Sequence, residues 1–283
     1  MIWGGDVSAS MSGFPNRVSI QGLALMYNVD WDMIEKYEIN TDFGYAIPND
    51  ANSGVTVGCG FDLGRHSVNQ INALPIAETL KAKLRPYAQL TGAEARNALY
   101  SLPADGALNP RQPIAGQIHA PKLTRVANKY SCAFVLKSTG SGRLELDPDE
   151  VTLLNQAVRD WKMKRIASKF DADAVKAGGK PFATIPASTQ TAIASFCWHY
   201  GENIGWLEDA GDRRLRYWKL VVKGDWTNAI ELIFSAFMKP KEKSFEKRRR
   251  EEVDLLRWGM QTQKSGPLLR RYLNNTVDYS RVA

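Results

Sequence analysis

The sequence predicts a mainly helical α+β protein, a small β-hairpin lobe joined to a larger helical lobe. Three observations carry that expectation. A turn-rich β signal lies between residues 43 and 57, apolar residues recur at three and four spacing through most of the chain beyond residue 75, and no internal repeat or low-complexity tract interrupts the 283 residues. One unit spanning 31–283 is expected, with residues 1–30 as a weakly patterned lead-in and an insertion at about 103–146.

Asp30 is placed to cap a short helix from Trp31 to Tyr37 that ends around Glu38. Phe43–Ile47 and Val55–Val57 then flank the turn-rich segment 48–54, which reads as a hairpin with a longer loop. Helical spacing predicts Ile76–Leu84 and Ala93–Leu102, each stopped by a proline, Pro86 and Pro103. The insertion is marked by Pro103, Pro110, Pro113 and Pro121, by Gly-Ser-Gly at 140–142, and by the strand-like Cys132–Leu136. Asp149 is expected to cap a long amphipathic helix from Glu150 to about Phe170, with Leu153, Ala157 and Trp161 on its apolar side.

Ser188–Tyr200 is apolar nearly all round, which places Ile193, Phe196, Cys197 and Trp198 in the middle of the helical lobe, with Gly201 ending the helix. Arg213–Lys223 ends at Gly224, Asp225 caps Trp226–Met238 with Trp226, Ile230, Ile233 and Phe237 in one stripe, and a last helix runs from Lys243 to Trp258.

Composition narrows the function classes. With 44% apolar and 24% charged residues the chain is ordinary globular protein, and no run of about eighteen apolar residues occurs, so stable membrane insertion is not expected. Lys and Arg exceed Asp and Glu by 37 to 30, a net +7 that favours anionic partners: nucleic acid, a membrane surface or an acidic wall polymer. Met1-Ile-Trp-Gly-Gly-Asp has neither the basic nor the apolar region of a secretory signal, so work outside the cytoplasm would need another export route. Cys59, Cys132, Cys197, His66, His119 and His199 are scattered, so buried structural roles are expected and neither a metal site nor a cofactor.

The sharpest chemical constellation is Glu38 at a helix end, Thr56 on the second hairpin strand, and Asp62 in Gly58-Cys-Gly-Phe-Asp-Leu-Gly64. An acid at the end of an apolar helix, facing a hydroxyl and a second carboxylate, is what general acid catalysis on a glycosidic bond requires: one carboxyl protonates the leaving oxygen while other polar groups place a water. Spacing alone leaves plainer roles open, with Glu38 a solvated helix end, Thr56 a strand former and Asp62 a turn residue. Asp50 is a rival second carboxylate, although Asn49-Asp50-Ala-Asn52 also reads as a turn. The glycines do not make a nucleotide cradle, because the third falls one position late for a dinucleotide fingerprint and no Gly-Lys-Ser/Thr is present. The basic run Lys239–Arg250 offers Glu246–Arg250, Lys247–Glu251 and Arg248–Glu252 pairs at helical spacing, so a solvated, pair-laced face is expected rather than nucleic-acid binding.

Glu38 followed by Ser53-Gly-Val-Thr-Val-Gly-Cys-Gly-Phe-Asp-Leu-Gly64 resembles the pesticin-like branch of the phage-type lysozyme superfamily. Residues 86–99 are similar to the helix after the hairpin in that branch, and Phe196-Cys-Trp-His-Tyr-Gly201 is placed like the central helix end of phage-type lysozymes. The resemblance implies a lysozyme-like fold and an inverting muramidase without a cofactor. Glu38 becomes the general acid, Thr56 the water-placing hydroxyl and Asp62 the second acidic group. In the wider superfamily the second carboxylate lies before the threonine, where Asp50 sits.

It further implies that Arg248 approaches Glu38, and that Tyr45, His199 and Tyr200 bind substrate or support the site. The partner implied is the peptidoglycan glycan strand, cut between N-acetylmuramic acid and N-acetylglucosamine by a monomer that an immunity protein would inhibit. The protein would act as an antibacterial toxin or endolysin in the periplasm or cell wall, delivered by a holin, a secretion machine or a toxin or phage particle. The alternative from another class is a non-enzymatic module that binds cell wall or nucleic acid through its basic surface.

Overall fold

The computed structural model describes residues 27–101, 122–127, 132–137, 144–238 and 243–264. Most of the lead-in, most of the expected insertion, His119 and Lys239–Lys241 lie outside the described residues.

α1 spans Trp31–Glu35, and Asp30 caps it as expected, its Oδ1 accepting from Met33 N at 3.1 Å. The α-helix ends sooner than the sequence suggests. Tighter turns follow, with Tyr37 N bonded to Ile34 O and Glu38 N to Glu35 O, so Glu38 stands on a tightened last turn just before the sheet. Asn28 N and Asp30 N donate to the side chains of Gln190 and Thr191, which fixes the entry to α1 against the helical lobe.

The β signal is larger than a hairpin. β1 (Asn40–Ala46), β2 (Thr56–Cys59), β3 (Phe61–Asp62), β4 (Lys122–Ala127) and β5 (Cys132–Lys137) form one antiparallel sheet in the order β3-β2-β1-β5-β4. The expected strand within the insertion is therefore real, and it extends the hairpin by pairing Tyr45 with Lys137 and Ala46 with Leu136. β3 escapes a sequence reading because it is two residues long and follows Gly60, whose φ of +79° turns the chain sharply.

α2 (Val68–Asn72), α3 (Glu78–Leu84) and α4 (Gly92–Ser101) follow, and α4 packs against β1. α2 was not expected; it is one turn held by a reciprocal capping box between Ser67 and Gln70. The long helix α5 runs from Pro148 to Ala177, about 45 Å at 1.5 Å per residue, and joins the two lobes. Its cap is Asp147 rather than Asp149, because Asp147 and Glu150 form a capping box with Pro148 at the first helical position, and it continues past Phe170 to a left-handed Gly178. Of the expected apolar positions Ala157 is buried and Trp161 packs half-buried on the core, but Leu153 is 42% exposed, and the buried face centres on Leu154, Val158, Ile166 and Phe170.

α6 (Ala187–Tyr200) is the buried centre of the helical lobe, as its all-round apolarity predicts. Phe196 stacks on Tyr217 of α7 (Arg213–Lys223) at 3.9 Å between ring centres. Asp225 caps α8 (Trp226–Leu232), which passes into a wider turn at Ile233–Phe237, and α9 (Lys243–Lys264) lies along α6.

Candidate active site

Glu38 and Arg248 meet across the lobes. Arg248 Nη1 donates to Glu38 Oε1 at 2.5 Å, while its Nε and Nη2 donate to the Oγ and carbonyl of Ser195 at 3.0 and 2.9 Å. The guanidinium is 2% exposed and fixed by both sides of its fork. The other carboxylate oxygen, Oε2, faces Gly60, where a Cβ would stand 3.3 Å from it.

Tyr45, Thr56 and Asp62 are successive cross-strand partners on β1, β2 and β3, so their side chains share one face of the sheet. Asp62 Oδ1 accepts from Gly54 N at 2.9 Å and Gly64 N at 3.0 Å, tying the hairpin loop to the end of β3. The glycines of this motif now have a steric reason. A Cβ on Gly54 would lie 2.4 Å from the backbone of Gly64 and 2.6 Å from Asp62 Oδ1. Burial raises the Asp62 carboxyl, opposed by those two N–H groups and by Arg65. Burial also pushes the Tyr45 hydroxyl well up, with Glu38 and Asp62 adding to it, which places Tyr45 in the field of both carboxylates. Asp50 Oδ1 instead accepts from Asn52 N and Ser53 N at 2.8 and 3.1 Å, the turn role its sequence suggests.

The wall behind Gly60 comes from the helical lobe. Trp198 Nε1 is 4.0 Å from a Gly60 Cβ position, and Lys162 of α5 stands over the Trp198 ring at 4.2 Å. Burial raises the Cys59 thiol to about 12, assisted by Glu38 and opposed by Lys162 and Arg248. His66 stacks on Phe61 and meets Trp161 edge-on; burial lowers it to about 4, with Glu202 opposing and Lys162 and Arg165 assisting.

The basic run corrects the expectation of a solvated face. Glu246–Arg250 does form an exposed pair at 2.6 Å, but Arg248, Arg249 and Glu252 are buried. Glu251 pairs with Lys36 of the α1 turn at 2.6 Å. Glu252 accepts from Ser195 Oγ at 2.6 Å, lies 3.5 Å from Arg248 Nε, and faces Arg249 Nη1 at 2.6 Å without an aligned hydrogen bond. Arg249 lies between the Phe196 and Tyr200 rings, each 5.0 Å away. His199 packs on Tyr200 and Phe245 beside this arginine, and burial followed by Arg249 and Arg248 lowers it to about 3. Arg248 therefore joins the expected site, Tyr45 lines it, and His199 and Tyr200 are placed around Arg249.

Cys59 and Cys197 are buried thiols, and among the described residues no three His, Cys, Asp or Glu side chains converge to hold a metal. A recess of about 450 Å³ between α7 and α8, lined by Arg216, Lys219, Lys223 and Asp225, contains none of these groups. The sequence reading missed Lys162, and it paired Glu252 with Arg248 but expected that pair on a solvated face. Lys162 carried a signal, standing four residues after Val158 and four before Ile166 in an apolar stripe, whereas Glu252 looks like any helix-surface acid until α6 is packed against it.

A short acid-bearing helix set against an antiparallel sheet that presents a hydroxyl and a carboxylate, backed by a helical lobe, defines a lysozyme-like α+β protein. Residues 28–139 match the Pesticin family, described as a bacterial toxin homologue of phage lysozyme, C-terminal part. The matched span holds Glu38, Thr56 and Asp62 and supports a pesticin-like lysozyme branch, a family that points to glycoside hydrolase activity of the muramidase type on peptidoglycan. No curated protein matches the chain.

Proposed function

We propose that the protein hydrolyses the β-1,4 bond between N-acetylmuramic acid and N-acetylglucosamine, with Glu38 as general acid, Thr56 placing the water and Asp62 as the second carboxylate. The observation that carries this reading is the division of labour around Glu38. Arg248 donates to Oε1, and Oε2 lies at the Gly60 turn, 3.3 Å from where a Cβ would stand, so a protonated Glu38 presents its acid at the hairpin end, where a leaving oxygen would sit. Thr56 lies beside Asp62 on one sheet face, both backbone N–H groups take Asp62 Oδ1, and Oδ2, with the exposed Arg65 Nε 3.8 Å away, is the oxygen that would meet a water. A hydroxyl and carboxylate sharing that water favour single displacement with inversion. On this reading the protein acts on peptidoglycan in the periplasm or cell wall, as an antibacterial toxin or an endolysin, after delivery by a holin, a secretion machine or a toxin or phage particle.

Clearing of a suspension of purified peptidoglycan tests the assignment. Glu38→Gln keeps the side-chain volume and removes the acidic proton, so the rate should fall by about 10²- to 10⁴-fold with the melting curve preserved. Activity within about tenfold of wild type would remove Glu38 from the reaction. NMR of fresh hydrolysate should show the α-anomer first; the β-anomer would mean retention and a different second step.

A further inference from the structure

Lys162 has no part in the reaction just described, yet it is built into the wall of the site. The residue is 7% exposed, on the buried face of α5 beside Val158 and Ile166. Among the described residues no carboxylate, carbonyl or hydroxyl lies within hydrogen-bond distance of its ammonium, and its one close polar contact is the face of the Trp198 ring at 4.2 Å. The ammonium at the end of this buried stem keeps some exposed surface, so a ligand can reach it, and one ring face replaces little of its hydration, so an anion is the partner that fits. Trp198 carries the position to the chemistry: its Nε1 and Glu38 Oε2 both lie within 4.0 Å of the Cβ position of Gly60. Neighbouring carboxylates are otherwise engaged. Glu38 is held by Arg248, and Glu202 acts on His66.

We propose that Lys162 is the receptor for a carboxylate of the bound glycan, next to the bond being cut. The inference rests on the muramidase reading for its ligand. Muramic acid carries a lactyl ether at C3, which is a free carboxylate on a bare glycan strand and an amide leading to the carboxylates of a stem peptide on an intact one. N-acetylglucosamine has neither group, so an ammonium here would favour muramic acid at the subsite over Trp198.

Calorimetric binding to the Glu38→Gln protein, which leaves the ligand uncut, tests the proposal without depending on hydrolysis. The probe is a tetrasaccharide of alternating N-acetylglucosamine and N-acetylmuramic acid, as free acid and as lactyl methyl ester. The acid should bind about tenfold tighter than the ester, and adding Lys162→Met should lower acid binding to the level of the ester while leaving ester binding unchanged. Equal binding of acid and ester by the protein that retains Lys162 would overturn the proposal whether or not the second variant folds, as would an equal loss for both ligands in Lys162→Met. A stem-peptide muropeptide bound as tightly as the free acid would assign the carboxylate to the peptide, and one bound like the ester would assign it to the lactyl group. Failure of the muramidase reading would appear separately, as wild-type protein that binds the acid and clears no wall.

Discussion

Arg248 reaches Glu38 across 210 positions of chain with a 2.5 Å contact, and Ser195 at the centre of the helical lobe holds the other two corners of its guanidinium. The candidate acid is thus oriented by the lobe opposite its own helix. A lysine ammonium cannot make three divergent donations in one plane. Arg248→Lys should therefore keep a positive charge near Glu38 yet lower kcat/KM on peptidoglycan by about tenfold to 10²-fold, since small misplacements of a positioned group cost rate steeply. Steady-state rates alongside urea unfolding check this, and an unchanged rate would reduce the contact to a structural ion pair.

Arg249 and Glu252 present a different problem, because both are 0% exposed. Glu252→Gln leaves Arg249 buried without a counter-charge, so the unfolding free energy should fall by about 3–5 kcal/mol. Pairing it with Arg249→Met removes the stranded charge and should recover most of that loss. Arg250→Ala, on the exposed side of the same helix, should change stability by about 0.5 kcal/mol or less. Equal effects of Arg249→Met and Arg250→Ala in urea titrations would restore a solvated face for this run.

These two buried arginines mark where the sequence stops being legible. Periodicity located α6 and the helical lobe because a segment apolar on every side has one place to go, and the Gly-rich run with Asp62 pointed to the hairpin end. The pairing of Arg248 with Glu38 came from resemblance rather than from spacing. Arg249 was hidden because its neighbours, the Phe196 and Tyr200 rings and Glu252, converge only after α6 and α9 pack, and an i,i+3 pair looks the same buried or wet. Asp147 was missed for a local reason, since Asp147 and Asp149 both precede a helical pattern and only the reciprocal bond with Glu150 distinguishes the cap.

Buried His66 and half-buried His199 make the fold acid-labile in a defined window. His66 is lowered to about 4, first by burial, and His199 to about 3, first by burial and then by Arg249 and Arg248. The unfolded chain, titrating near 6.5, binds protons that the folded protein refuses, so their contribution to stability is complete above about pH 6.5 and is lost as pH falls toward 4 and then 3. Each unit of depression is worth about 1.4 kcal/mol at full effect. The raised carboxyls of Asp62 and Glu252 act in the opposite sense, which is why the comparison is made between variants. His66→Gln should show a smaller drop in melting temperature from pH 7 to pH 4.5 than wild type, whatever its midpoint at pH 7. Parallel curves would mean that His66 titrates normally.

Asp62 has one observed role, in the loop, and one proposed role, in the reaction, and substitution can separate them. Its Oδ1 brackets the loop by accepting from Gly54 and Gly64, and an asparagine oxygen can accept both bonds, so Asp62→Asn should unfold within about 1 kcal/mol of wild type while losing the charge offered to a water. Turnover should then fall by about 10²-fold or more. Asp50→Asn likewise keeps the acceptor for Asn52 and Ser53, and its rate should stay within about threefold of wild type. Asp62→Ala removes bracket and charge together. It should lose stability as well as rate, because Gly54 and Gly64 pack too closely for another side chain to replace the tie. Peptidoglycan clearing measured beside thermal melts for the three variants decides the assignment. A near-normal rate for Asp62→Asn with a destabilised Asp62→Ala would leave Asp62 as the bracket alone and transfer the second carboxylate to Asp50.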